Sequence, residues 1–323
     1  MPETPTPGTP MLEELRPRAF AVAYRMLGSV SEAEDIVQEA LLRFHLAREG
    51  GEQIESPRAY VSTVVTRLCI DQLRSARVRR ESYVGEWLPE PLVDDRVIDP
   101  AAAAEVADSL SLAFLVLLEN LTPEQRAAFL LREVFAYPYE DIAGIIGTSQ
   151  DNARQLVARG RRHVEDGRPR FEASPEQRDE LASRFLAAVA GGDLSELEAL
   201  LAEDVVFHGD GGGVVRAIAR PVRGRTRVAR MLVTGMRSGG AYAGVTFHQS
   251  QVNGQPGATI TDADGNLVAV VELDIADGHI AAVHTVVNPD KLRHLDPDAT
   301  RQAPVAAPAQ TRDSARDPGQ RPQ

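Results

Sequence analysis

The stretch from Tyr137 to Val164, YPYEDIAGIIGTSQDNARQLVARGRRHV, constrains the chain more than any other. Its spacing predicts a helix, a tight glycine turn and a second, basic helix. Ile142, Ile145 and Ile146 make one apolar stripe, and Gly147 stands where a helix closes on a left-handed residue. Ser149, or Thr148, can cap the helix that follows. On that helix Ala153, Leu156, Val157, Gly160 and Val164 share one side, while Asn152, Gln155, Arg159 and Arg162 project from another. Small residues inside and Arg, Asn and Gln outside suit a helix lying in a DNA major groove. The same pattern also fits an amphipathic helix whose basic side is merely solvated.

A length of 323 residues suggests two or three domains. No run of eighteen apolar residues occurs, and the opening MPETPTPGTP lacks the basic and apolar regions of a signal peptide, so a cytoplasmic chain without membrane contact is expected. The single cysteine, Cys69, excludes an internal disulfide and a Cys-based zinc site; lying among Val65, Leu68 and Leu73, it reads as a buried, inert thiol. A net charge of −12 opposes uniform coating of nucleic acid. The charge is uneven, however. Arg67, Arg74, Arg77, Arg79 and Arg80 against Asp71 give one segment +4, and Arg154, Arg159, Arg161 and Arg162 against Asp151 give another +3. Lys291 is the only lysine.

In chain order, residues 1–10 read as disordered. Helical periodicity runs from Leu12 to Gly28, then from a capping box at Ser31 and Glu34, then from Ser56-Pro57 into the arginine cluster. Residues 81–108 are acidic and proline-rich, and they hold Trp87, the only tryptophan. A tryptophan needs a surface to pack on, so this linker is expected to dock. Helices resume near Ala101, and Thr122-Pro123-Glu124-Gln125 is a further capping box. From about Glu176 two helices precede strand signals at Val205–His208, Val214–Arg220, Val245–Val252, Leu267–Ile275 and His279–Val287, with a helix near Arg225–Gly235. A run of antiparallel strands after helices describes an α+β domain.

The order of these stretches resembles bacterial extracytoplasmic-function (ECF) sigma factors of the sigma-70 family, in the subgroup carrying a fused C-terminal SnoaL-like domain. RPRAFAVAYRMLGSVSEAEDIVQEALLRF (16–44) is similar to regions 2.1 and 2.2. Residues 56–92 resemble regions 2.3 and 2.4 followed by the Trp-Leu-Pro-Glu-Pro linker. Residues 121–164 resemble region 4. Asp210-Gly211-Gly212-Gly213 and Asn288-Pro289-Asp290-Lys291-Leu292 resemble the subgroup's two C-terminal signatures. The implied fold class is multidomain: two all-α sigma domains, a region 2 bundle and a region 4 helix-turn-helix, followed by an α+β NTF2-like cone. The expected limits are 11–80 for region 2, 81–108 for the linker, 109–166 for region 4, 175–290 for the SnoaL-like domain, and 291–323 for the last motif and a disordered tail.

The resemblance implies a transcription initiation factor that binds core RNA polymerase, through its β and β′ subunits, and promoter DNA, and that is a monomer when free. Polymerase contact is expected at Asp35, Gln38, Glu39 and Arg43. The minus-10 strand is expected at Asp71, Arg74, Arg77, Arg79 and Arg80, by hydrogen bonding more than stacking, since only Tyr60 and Tyr83 are aromatic there. The minus-35 duplex falls to Asn152, Arg154, Gln155, Arg159, Arg161 and Arg162, with Arg161 and Arg162 on phosphates. Trp87, Leu88, Pro89, Glu90 and Pro91 form the linker motif, which is implied to thread toward the polymerase active site. The two C-terminal signatures are expected at a regulatory interdomain contact. One departure stands out: the subgroup's glycine loop usually ends in lysine, and Val214 follows here, which leaves Arg216 as the nearest cation.

The resemblance also implies a conical pocket open to an unidentified small ligand. His208, Asp210, His248, Asp274 and His284 are the polar residues available for acid–base chemistry, but no pair has a diagnostic spacing, so neither an enzyme nor a metal or cofactor is expected. Two rival readings are a helix-turn-helix regulator with a ligand-sensing domain and an NTF2-like isomerase or cyclase. The first leaves residues 11–92 unused, and the second explains still less.

Overall fold

The computed structural model describes residues 9–80, 83–93, 109–165, 174–215, 217–218, 220–237 and 244–295. Three helices open it: α1 (Thr9–Leu27), α2 (Val30–Glu49) and α3 (Pro57–Arg80). Gly28, at φ 65°, turns the chain so tightly that α2 starts at once. The N-cap of α2 is therefore Ser29, whose hydroxyl accepts from the Glu32 N–H. The capping box expected at Ser31 and Glu34 is not formed, and Glu34 instead pairs with Arg16.

Four helices follow the linker: α4 (Leu112–Leu118), α5 (Pro123–Glu133), α6 (Tyr139–Ile146) and α7 (Gln150–Glu165). The Thr122–Gln125 capping box is present, and Gly147 ends α6 at φ 79°. Tyr24, Leu27 and Phe44 of the first group share one continuous core with Leu115, Leu118 and Leu130 of the second. A smaller cluster of Ala128, Leu131, Ile142, Ile145, Ala153 and Val157 holds α5, α6 and α7 together.

The C-terminal part begins with α8 (Pro175–Gly191), capped by a Ser174–Gln177 box, and α9 (Leu194–Leu200). Then come β1 (Leu201–Asp210), β2 (Val222–Arg223), α10 (Arg225–Arg237), β3 (Thr246–Val252), β4 (Gln255–Thr261), β5 (Leu267–Ala276), β6 (His279–Val286) and α11 (Pro289–Leu292). The sheet order is β2-β1-β6-β5-β4-β3.

Three expectations are corrected here. The sheet is mixed, because β1 pairs with β6 in parallel. Val214–Arg220 is not a strand: the Val214 and Val215 N–H groups both turn back to the Gly211 carbonyl, and Arg216 lies outside the described residues. β4 lacks a strand signal of its own, because Pro256 and Gly257 stand within it. Asn253-Gly254, a two-residue hairpin signal, marks its start.

Candidate nucleic-acid interface and interdomain clasp

The second helix of the opening motif is α7. Its inner side is buried at Ala153, Val157, Gly160 and Val164, and a Cβ at Gly160 would lie 2.9 Å from Phe129 Cβ. Glycine there lets α7 press on α5. The outer side exposes Asn152, Arg154, Gln155, Arg159, Arg161 and Arg162 together. Arg154 pairs with Asp151 at 2.8 Å and lies over the Tyr139 ring, while Arg161 reaches Glu133 at 2.7 Å. Arg162 is exposed and touches only the Ala158 carbonyl, at 3.4 Å, among its described hydrogen bonds.

The proposed minus-10 residues are less free. Asp71 is exposed, but Arg74 is held by Glu124 of α5 at 2.6 Å as well as by Asp71 at 3.3 Å. The side chains of Arg77, Arg79 and Arg80 lie outside the described residues. Arg67, counted within the same basic segment, donates to the Gly144 and Ile145 carbonyls and so closes the C-terminal end of α6. Cys69 is buried and its thiol is pushed up by desolvation, as an inert core residue should be. On α2, Asp35, Gln38 and Arg43 are exposed and Glu39 pairs with Arg43 at 2.7 Å. Leu42 and Leu46 stand 52% and 55% exposed beside them, which gives that polar face an apolar centre.

The linker is docked. Tyr83 to Val93 runs between the helical body and the sheet, and its contacts converge on Asp210, which is fully buried. The Asp210 carboxylate accepts from Tyr83 Oη at 2.6 Å, the Leu88 N–H at 2.8 Å, the Gly212 N–H at 3.0 Å and Lys291 Nζ at 2.6 Å. Lys291 also donates to the Leu88 carbonyl and lies 4.2 Å from the Trp87 ring centre and 5.0 Å from that of Tyr83. The cation in this contact is therefore Lys291, already in place within the second signature. Gly212 packs so closely on Asn288 that a Cβ would fall 2.2 Å from its Nδ2, and Gly213 meets Val84 in the same way. The two C-terminal signatures thus interlock on the linker motif. Leu88 is buried with Val252, Val270, Val286 and Leu292.

Trp87 also reaches the other side, and Glu90 turns to it. Trp87 lies so close to Gly28 that a Cβ there would approach its ring to 2.8 Å. Glu90 accepts from the Val30 N–H at 2.7 Å, the Ser31 N–H at 3.2 Å and the Ser29 hydroxyl at 2.8 Å, a carboxylate on the positive end of α2. Two further residues had no sequence signal as interdomain groups. Asn253, at the β3–β4 turn, bonds Leu92, Tyr24 and the Leu110 carbonyl. Glu272 accepts the Leu112 N–H at the start of α4. Asn253-Gly254 carries a turn signal, but nothing local announces its partners.

The residues available for acid–base chemistry are split: His208, Asp210 and His284 share the linker-facing side of the sheet, and His248 lies apart on the edge strand β3. His208, His284 and Glu272 stand in a row across β1, β6 and β5, facing the linker. The two imidazoles stack at 4.8 Å, and His208 Nδ1 meets Glu86 at 2.6 Å. Burial pushes His284 down to about 3 and holds the Glu272 carboxyl well above its ordinary range, so both favour the uncharged form. His248 lies exposed on β3 and bonds Thr261.

Family models match these parts in order: Sigma-70 region 2 over residues 11–79, Sigma-70 region 4 over 111–164 and a SnoaL-like domain over 182–290. Fold and site together define a sigma-70-type transcription factor with an appended α+β domain. The ECF RNA polymerase sigma factor SigJ of Mycobacterium tuberculosis is 39% identical over 287 residues, covering 86% of this chain and 91% of the relative. The probable ECF RNA polymerase sigma factor SigI of the same species is 34% identical over 283 residues, covering 86% and 93%. The crystal structure of SigJ matches with a TM-score of 0.70 at 36% identity, over 88% of this chain and 98% of that one. The chain belongs to the ECF RNA polymerase sigma factors.

Proposed function

We propose that this alternative sigma factor binds the β and β′ subunits of core polymerase through the α2 face around Asp35, Gln38, Glu39 and Arg43, with Leu42 and Leu46 at its centre. It reads the minus-35 duplex with the outer side of α7 and the opened minus-10 strand with the end of α3. The SnoaL-like domain regulates it by clasping the linker. The observation that carries this reading is the shared core of the two helical groups, with the linker locked between them and the sheet. Elements 25 base pairs apart are separated by about 85 Å of duplex, at roughly 3.4 Å per pair. Two readers on one core cannot span that, so the described conformation is a closed form that must open on polymerase. The linker residues that would enter the polymerase channel, Glu86 and Glu90, are engaged within the molecule.

Run-off transcription with core polymerase tests this. A specific transcript is expected in the absence of any other sigma factor, from a template carrying the selected minus-35 and minus-10 sequences. Failure of the full chain and of its 1–168 and 1–295 truncations would refute it. Equal activity of all three would leave the C-terminal domain without a regulatory role.

A further inference from the structure

Strands β1, β5 and β6 turn a second face away from the linker. With α8 and α10 that face lines a cavity of about 340 Å³ that is open on one side. Its lining is apolar, with Phe185 and Leu186 from α8, Met231 and Met236 from α10, and Phe207 and Val283 from the sheet. Thr285 is the one hydrogen-bonding side chain among the described lining residues. It is 5% exposed, and its hydroxyl has no partner. No described lining residue carries a carboxylate or an imidazole: His208, Asp210, Glu272 and His284 all stand on the opposite face.

A buried water needs two to four polar partners, and one hydroxyl does not supply them. A cavity of about 150 Å³ with such walls stays dry and holds a benzene ring, so one of about 340 Å³ takes roughly two fused rings. The described wall disfavours a charged group, because none of its described lining residues pairs with one. The two methionines let the wall adapt to shape. We propose that the cavity holds an uncharged, two-ring-sized apolar molecule bearing one hydroxyl or carbonyl, which bonds Thr285, and that β1 and β6 relay its presence to the linker. The relay follows from strand alternation. Phe207 and Gly209 face the cavity while His208 and Asp210 face Glu86, Tyr83 and Leu88; Val283 and Thr285 alternate in the same way with His284 and Val286. A molecule pressing on Phe207 or Thr285 moves the clasp one residue away. The relay rests on the reading that the clasp regulates the sigma factor; the binding does not.

The test uses the full chain and three matched, non-fluorescent probes: decahydro-2-naphthol, decalin and decahydro-2-naphthoate. Affinity is measured by calorimetry, and the clasp by the emission of Trp87, the only tryptophan. The alcohol is expected to bind and the carboxylate not to. Thr285→Val should weaken the alcohol roughly three- to tenfold, the worth of one hydrogen bond, and leave decalin unchanged. Saturation with the alcohol should shift Trp87 emission. Tighter binding of the carboxylate, equal loss for alcohol and decalin, or no binding of any probe would overturn the site. Saturable binding with Trp87 unchanged would overturn the relay. None of these outcomes involves polymerase, so they are separable from the transcription test.

Discussion

Among the arginines of α7, pairing separates the proposed roles. Arg154 is oriented by Asp151 and the Tyr139 ring, whereas Arg162 has no acidic partner among the described residues and sits a further two turns along. Arg154→Ala is expected to change sequence preference at one base pair by about 1–3 kcal/mol. Arg162→Ala should weaken all sequences alike and reduce the salt slope by about 1. Binding-site selection at two salt concentrations separates the two. His284 makes a second prediction. Its folded value is depressed, so below its ordinary 6.5 the unfolded chain takes up a proton that the folded chain refuses. Stability is therefore lost as pH falls from about 6.5 toward 3, by about 1.4 kcal/mol per pH unit. Glu272 acts with the opposite sign, because its folded value is raised: the unfolded chain loses a proton above the ordinary 4.5 while the buried carboxyl keeps it. His284→Phe keeps the stack on His208 and should remove the acid-side slope attributable to this residue in urea titrations across that range.

At the scale of elements, the domains adhere by covering one another's helix ends. Glu90 of the linker sits on the N-terminus of α2, and Glu272 of β5 on that of α4. Arg67 of α3 covers the C-terminus of α6, and the buried Arg126 of α5 donates to the Met26 carbonyl at the end of α1. Each of the four satisfies a group the helix leaves open, and the charges of Glu90, Arg67 and Arg126 also match the dipole they meet. The α5–α7 contact depends instead on the absence of a side chain. Gly160→Ala puts a methyl group 2.9 Å from Phe129 Cβ. It is expected to cost roughly 1–3 kcal/mol by overpacking, despite alanine's better helix propensity. The same variant should lose minus-35 affinity while thermal melting still shows a cooperative transition.

Over the whole molecule the chain's only lysine is spent inside the clasp, where Lys291 is 7% exposed and Asp210 is fully buried. Removing one partner of such a pair leaves a buried charge and costs about 3–5 kcal/mol, whereas removing both costs less. Lys291→Met is therefore expected to open the molecule, seen as a larger radius of gyration in solution scattering, and Asp210→Asn combined with Lys291→Met should recover part of the compactness. Equal radii for Lys291→Met and the parent would show that the shared helical core, not the clasp, holds the closed form.

Local pattern alone was enough for most of the architecture. The stripe of Ile142, Ile145 and Ile146, the glycine after it and the Thr122 box depend on neighbours within a few residues, and their helices formed as expected. So did the exposed outer side of α7, since 3.6-residue periodicity separates it from the core. Pattern also placed Trp87 on a surface, because an indole in a proline-rich stretch has to be covered. What it could not supply was the identity of partners 59 to 229 residues away. Asn253 and Glu272 read as ordinary polar residues, and Glu90 and Lys291 as motif residues without named partners, until folding brought a backbone group, a helix end or a carboxylate to each. Their roles follow from burial and distance, which are properties of the assembled chain.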